Sequence, residues 1–245
     1  MFDIYSLADA EKKMVDNAYN DYGEYFSHAH KLVSFTWNFI SEVKQGAWVY
    51  IALLSQVQKS LYLALLSAIR YHDAQTHFNL RYALESAVLS CYGLFDTDSK
   101  NFVKCDDQGC FIMENGQDVM KKAYKWIEEN YKLYSDKTKF MKDKINEYSM
   151  HANLALSPSN FNITESNGIN ISFFDNQFEH IIKQRLWWIA NISFGLLDLF
   201  ATIIRDYPIV KLVSNFDLEM RTYGIKNHQI ELELKNDPRF SKWIK

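Results

Sequence analysis

Three polar side chains recur at four-residue intervals on one predicted helix, 73–95. His77, Arg81 and Glu85 place a base, a cation and an anion along one ridge of this helix. At about 100° per residue, His77 and Arg81 point into or beside its apolar stripe. A buried arginine costs free energy unless it is paired and hydrogen-bonded. Two interpretations stay open: a structural Arg81–Glu85 ion pair, or a polar pocket in which Arg81 binds an anion such as phosphate and His77 acts as an acid or base.

A second predicted helix, 177–205, supplies further polar groups. Arg185 lies within its apolar stripe, and Asp198 lies where the helix is apolar almost all round. Because such a helix is usually central in a bundle, we expect Asp198 to be buried and paired, with Arg81 or Arg185 as its partner. Structural ion pairs explain this pattern at least as well as catalysis does. The anion-binding or pocket-lining candidates are Arg81, Glu85, Arg185 and Asp198.

The remaining acid–base candidate is His151, near the end of a predicted helix over 137–156. The helix dipole stabilises a histidine near a helix C-terminus, so a purely electrostatic role is the alternative. Arg70 lies in phase with His77 if one helix continues through residue 70. The catalytic candidates are therefore His77, Arg70 and His151.

The motifs of several common enzyme classes are absent from the sequence. It contains no Gly-rich phosphate loop, no GxSxG elbow and no HExxH zinc motif. Cys105 and Cys110 flank a predicted turn, but no second Cys/His pair follows at zinc-finger spacing. We predict no metal and no cofactor. Whether the two cysteines pair stays open.

The elements that must position these residues are mostly long helices. Only 8 glycines and 3 prolines occur in 245 residues, which favours few, long helices over many short strands. The apolar spacing predicts helices over 3–22, 28–43, 47–70, 73–95, 117–132, 137–156, 177–205 and about 226–236. Whether 47–95 is one helix or two stays open, so the count is about seven. Two β-hairpins are predicted, at 102–113 and at 160–175. The sequence thus predicts an all-α, multi-helix bundle with one or two small hairpins, as a single domain over 1–245.

Charge and hydropathy limit the environments in which the protein works. The net charge of −3 excludes a broad basic surface, so we expect no stable DNA binding. The N-terminus lacks the basic and apolar regions of a secretory signal, and three cysteines are too few for a disulfide scaffold. Segments 48–69 and 186–204 are long and apolar but contain polar residues, which favours core helices over membrane spans. We therefore expect a cytoplasmic protein with no membrane partner.

Two segments carry a resemblance to a known group. RYALESAVLSCYGLF (81–95), preceded by His77, and INEYSMHANLAL (145–156) resemble a loose pattern in bacterial helical proteins related to the HEPN (higher eukaryotes and prokaryotes nucleotide-binding) and abortive-infection group. The resemblance covers about residues 50–200 and implies a helical bundle that is often dimeric. Many members of the group are metal-independent ribonucleases, in which an arginine is followed four to six residues later by a histidine across a dimer interface.

The ribonuclease pattern is only partly present in this chain. Arg70, with six residues between it and His77, fits its outer limit. Near His151 the expected arginine is missing, and Lys144 is the basic residue at allowed spacing. Lysine does not reproduce the guanidinium fork that would hold a scissile phosphate.

Three functions follow as expectations. The first is a non-enzymatic or regulatory protein of a bacterial defence or stress system, acting through homodimerisation or a partner; the aromatic content of 16% suits an interface. The second is a HEPN-type ribonuclease, with RNA as its partner, that uses Arg70 and His77 or Lys144 and His151. The third is a protein that binds a small molecule or an anion.

Overall fold

The computed structural model describes residues 3–108, 111–112, 116–149, 161–163, 169–175 and 177–239. Seven α-helices lie within these residues, so the predicted all-α bundle is confirmed. They are α1 (Ile4–Asn38), α2 (Trp48–Ile69), α3 (Asp73–Phe95), α4 (Gly116–Asn130), α5 (Lys132–Ser149), α6 (Glu179–Asp206) and α7 (Phe216–Asn236).

Three short antiparallel strand pairs accompany the helices in the described residues. Two are the predicted hairpins, β2 (Lys104–Cys105) with β3 (Phe111–Ile112) and β4 (Phe161–Ile163) with β5 (Ile169–Ile171). The third was not predicted: β1 (Ile40–Val43) pairs with β6 (Val210–Leu212). The predicted helix 28–43 is therefore wrong beyond Asn38, because a distant segment of the chain supplies the hydrogen bonds that draw residues 40–43 into a strand.

Three helices depart from the sequence prediction, and one of them, α5, begins at Lys132, five residues before the predicted 137. The predicted helices 3–22 and 28–43 belong to one element, α1, which is kinked where Gly23 has φ 51° and ψ −124°. Glycine adopts this left-handed backbone without the steric cost that a Cβ brings. Helix α7 begins ten residues before the predicted 226, at Phe216. Phe216 is buried against Phe35, a contact that no local spacing reveals.

A tight turn separates α2 from α3. The Tyr71 amide donates to the Ala68 carbonyl (3.3 Å) and the His72 amide to the Ser67 carbonyl (2.9 Å), which closes α2 with the two bonds of a Schellman cap. Tyr71 occupies the left-handed position at φ 58°, where glycine is usual. Its strain, of order 1–2 kcal/mol, is opposed by the hydrogen bond between the Tyr71 and Tyr22 hydroxyls (2.8 Å). Segment 47–95 is thus two helices.

Helix α6 forms the centre of the bundle, in contact with α1, α2, α3 and α7. Two helices, α2 and α6, are long and apolar enough to cross a membrane. Both pack inside the bundle, but 61% of the apolar segment of α6 is buried against 44% of that of α2. The outer side of α2 is therefore exposed to solvent, with Trp48 and Leu63 among its exposed residues.

Replacing either of two helical glycines with alanine should change the free energy of unfolding, in opposite directions. A Cβ at Gly93 would lie 2.8 Å from Val49 Cγ1 and 3.2 Å from the Tyr50 amide nitrogen, whereas a Cβ at Gly195 meets nothing within 4 Å. We expect Gly93→Ala to lower the free energy of unfolding by about 1–3 kcal/mol. We expect Gly195→Ala to raise it by about 0.4–1 kcal/mol. Urea denaturation of both variants measures the difference, and equal stabilities would contradict the close approach of α2 and α3.

Candidate functional site

The predicted site residues do not share one pocket. His77, on α3, and Arg185, on α6, both contact Asp73 at the start of α3. Arg81 and Glu85 lie further along α3, where it meets α4 and α5. Asp198 lies on α6 beside α5. His151 lies outside the described residues.

Asp73 and Arg185 form a two-point ion pair between α3 and α6. Arg185 Nε donates to Asp73 Oδ1 (2.7 Å) and Nη2 donates to Oδ2 (3.3 Å). The Arg185 side chain is only 9% exposed, and its guanidinium lies 5.4 Å from the centre of the Trp188 ring. Burial by itself would raise the pKa of Asp73, but the positive charge of Arg185 holds that pKa below its ordinary value. The apolar stripe located Arg185 correctly and gave no sign of its partner.

His77 is buried beside this ion pair. Its side chain is 0% exposed, its Nδ1 donates to the backbone carbonyl of Asp73 (2.9 Å), and its ring meets Trp188 edge-on. Burial and the nearby Arg185 charge lower the pKa of His77 to about 4. The imidazole is therefore neutral near pH 7, and no RNA phosphate can reach it.

Arg70 belongs to a different network. Its Nη1 donates to Glu11 Oε2 (2.9 Å) and its Nε to the Leu66 carbonyl (3.0 Å). His72 Nε2 lies 2.9 Å from the other carboxylate oxygen of Glu11. Arg70 thus ties the end of α2 to α1, while His77 faces α6, so the sequence pair Arg70–His77 is not a spatial pair of acid–base and phosphate-binding groups.

The Arg81 cluster contains the predicted ion pair and a second cation. Glu85 Oε1 accepts from Arg81 Nε (3.2 Å) and from Lys142 Nζ (2.9 Å). Arg81 Nη1 also donates to Asn146 Oδ1. Lys142 Nζ donates to the Tyr124 hydroxyl (2.8 Å) and lies 4.6 Å from the centre of that ring. Arg81, Tyr124, Lys142 and Asn146 border a cavity of about 250 Å³ between α3, α4 and α5, in which every lining residue is polar or charged.

Asp198 does not form the predicted ion pair. Its Oδ2 accepts from the Tyr134 hydroxyl (2.9 Å), which lies equally close to Thr202 Oγ1 (2.9 Å). The predicted pairing of Asp198 with Arg81 or Arg185 is wrong, because Arg81 is paired with Glu85 and Arg185 with Asp73. A hydroxyl satisfies Asp198 instead, in the wall of a largely apolar cavity of about 360 Å³. The carboxylate is half-buried, less than expected.

One surface combines large exposed apolar side chains with a low charge, and we call it the α2–α3 face. Its exposed residues are Trp48, Ala52, Ser55, Gln56, Lys59 and Leu63 from α2, and Ala74, Gln75, Phe78 and Tyr82 from α3. Tyr82 donates its hydroxyl to Gln56 Oε1 (3.0 Å), which ties the two helices together. Phe78 is 59% exposed and Trp48 49%. Only one of these ten residues is charged. The sequence marks α2 as a long apolar helix that contains a few polar residues, but it does not show which side stays uncovered.

Within the part of the chain that the structure describes, no three His, Cys, Asp or Glu side chains are placed to hold a metal ion. Cys110 lies outside that part, so its pairing with Cys105 stays a question from the sequence. Comparisons of the chain with protein-family models, with curated proteins and with solved structures found no match.

Proposed function

We propose that this chain is a non-enzymatic, cytoplasmic protein of a bacterial defence or stress system that works as a homodimer joined through the α2–α3 face. The observation that carries the proposal is the burial of α2. This helix is apolar enough to span a membrane, yet only 44% of its apolar segment is buried. The exposed side of α2 carries Trp48 and Leu63 and adjoins Phe78 and Tyr82 of α3. Because exposed clusters of large apolar side chains mark interaction surfaces, a second polypeptide is expected over this side.

The composition of the α2–α3 face favours a protein partner over a lipid surface. Helices that lie on membranes carry rows of lysine and arginine on their polar edge. Here the aromatic residues Trp48, Phe78 and Tyr82 stand among uncharged polar side chains, with Lys59 as the one cation. Aromatic residues are enriched and charged residues depleted at the centres of protein interfaces.

The low charge of the face, on which Lys59 is the one cation, favours a second copy of the same chain. A charged partner would leave its charges buried without counterparts, which is costly. A second copy offers a face with the same low charge and the same large apolar side chains, and two-fold dimers are the commonest oligomers.

The non-enzymatic part of the proposal rests on the polar clusters. His77 is buried, and Arg70, Arg81 and Arg185 are each held by a carboxylate. The place in a defence or stress system rests on the resemblance of 81–95 and 145–156 to HEPN-related and abortive-infection proteins.

A charge placed on the face tests the dimer. We expect the wild-type chain to have twice its monomer mass of 28.8 kDa. A glutamate at position 78 would be buried twice in each dimer, so Phe78→Glu should raise the dimer dissociation constant about 100-fold or more, equivalent to about 3 kcal/mol. Light scattering over a concentration series measures the mass.

Phe140 supplies the matched control, since it is also 59% exposed but lies on α5, away from the face. Phe140→Glu should remain dimeric. A wild-type monomer at every concentration, or equal dissociation constants for the two variants, would contradict the proposal.

A further inference from the structure

A mostly apolar cavity lies between α2, α3 and α4, with a volume of about 490 Å³ that suits a small molecule. We propose that it binds a small, neutral aromatic molecule that carries one hydrogen-bonding group, such as a phenol. Trp48 and Tyr82 belong both to the cavity wall and to the α2–α3 face. The proposal does not require the dimer, because calorimetry measures ligand binding and light scattering measures the mass independently.

The charges around the cavity favour a neutral ligand. Among its described lining residues, Glu85 is the one that is charged. Glu85 Oε1 already accepts from Arg81 Nε (3.2 Å) and from Lys142 Nζ (2.9 Å), and neither of these cations lines the cavity. A cationic ligand would gain little from a carboxylate that two cations already share. An anionic ligand would meet Glu85 and apolar walls without a counter-ion, which is costly.

The aromatic part of the wall favours a ring over an alkyl chain. Trp48 of α2, Tyr82 of α3 and Phe102, which precedes β2, all line the cavity. Trp48 is 49% and Tyr82 45% exposed, so a bound ring would remove apolar surface of both side chains from water. Aromatic pairs gain stabilisation beyond the burial of area, and a rigid ring loses less conformational freedom on binding than a flexible chain.

Ser86 supplies the polar contact. It lines the cavity from α3 and is only 3% exposed. In the part of the chain that the structure describes, its hydroxyl makes no hydrogen bond to a protein group, whereas Gln56 and Tyr82 of the same wall bond to each other (3.0 Å). A buried hydroxyl without a partner costs free energy. The Ser86 hydroxyl is able to donate or to accept, so a single ligand hydroxyl would satisfy it.

Calorimetric titration of the full chain with matched probes tests the proposal. We expect 2-naphthol, a neutral aromatic ring system with one hydroxyl, to bind saturably. 2-Naphthoate, which replaces the hydroxyl with a negative charge, should bind at least tenfold more weakly. 1-Octanol, which carries a hydroxyl on a flexible chain, should bind at least threefold more weakly.

Removal of the Ser86 hydroxyl tests the polar contact. Ser86→Ala should weaken binding of 2-naphthol about three- to tenfold, the effect of one neutral hydrogen bond, and should leave binding of naphthalene unchanged. Ser60→Ala is the matched control, because Ser60 is 4% exposed on α2 and lies outside the cavity. It should leave binding of both probes unchanged.

A second variant keeps the test decisive if Ser86→Ala fails to fold. Met120 is partly exposed on α4 and lines the cavity, so Met120→Trp should fold, fill part of the space and weaken binding of 2-naphthol at least tenfold. Leu133→Trp places the same ring on α5, at a residue that is 62% exposed and outside the cavity, and should bind as the wild type does.

Four results would overturn the proposal. They are no saturable binding of 2-naphthol, binding of 2-naphthoate or 1-octanol as tight as that of 2-naphthol, an equal change for 2-naphthol and naphthalene in Ser86→Ala, and unchanged binding in Met120→Trp.

Discussion

Replacing Asp73 with asparagine is expected to lower the free energy of unfolding by about 3–5 kcal/mol. Asparagine keeps the shape of the side chain but removes the charge that compensates Arg185. The Arg185 side chain is only 9% exposed, so water has little access to its guanidinium once the carboxylate is lost. Removal of one partner from a buried ion pair costs more than the pair contributes, because the other charge stays buried. Urea denaturation near pH 7 measures the effect.

Two further variants separate the buried charge from a general effect of substitution. Asp217→Asn breaks the exposed pair with Arg205, whose side chains are 74% and 52% exposed, and should cost less than about 1 kcal/mol. The double variant Asp73→Asn/Arg185→Met should be more stable than Asp73→Asn alone, because it removes the buried positive charge together with the carboxylate that faced it. A loss below 1 kcal/mol in Asp73→Asn would show that Arg185 does not need its partner.

The second large effect expected is a loss of stability in mild acid. The pKa of His77 is about 4 in the folded protein, against an ordinary value of 6.5. Between these values the unfolded chain binds a proton at this position and the folded chain does not, so stability falls as the pH is lowered. The difference in pKa corresponds to about 3 kcal/mol, lost between about pH 6.5 and pH 4. Asp73 adds to the loss only at lower pH, since its pKa lies below the ordinary aspartate value.

His77→Asn isolates the contribution of the histidine. Asparagine can still donate to the Asp73 carbonyl but does not titrate. The unfolding free energy of this variant, measured by urea denaturation at a series of pH values, should change by about 3 kcal/mol less than that of the wild type over the same range. His228→Asn, at a side chain 67% exposed, should retain the wild-type dependence. If His77→Asn also retains the wild-type pH dependence of the unfolding free energy, the buried neutral imidazole is not the source of that dependence.

What the sequence predicted well is local. The helix 73–95 has the predicted bounds because the apolar spacing and the acidic residue at its start act within a few turns. The Arg81–Glu85 pair was visible for the same reason, since four-residue spacing on a helix brings the two side chains together. Tyr71 shows the limit of such rules, because a left-handed helix end without glycine depends on a hydroxyl contact with a distant tyrosine.

What the sequence could not predict is long-range. Asp73 and Arg185 are 112 residues apart, and no spacing rule connects them. Lys142 joins Glu85 only because α5 packs on α3. Strand β1 exists because β6 pairs with it. For Asp198 the inference that a polar group needs a partner was sound, but the sequence did not distinguish an arginine from the Tyr134 hydroxyl.

The most direct test of the proposed dimer is hydroxyl-radical footprinting of the wild-type chain over a concentration series, with the mass followed in parallel. Phe78 and Phe140 have equal exposure in the single chain, 59% each, and therefore start as matched probes. We predict that, as the mass doubles, oxidation of Phe78 and Tyr82 falls severalfold while oxidation of Phe140 does not change. A mass that never doubles, or a doubled mass with Phe78 and Phe140 still oxidised alike, would contradict dimerisation through the α2–α3 face.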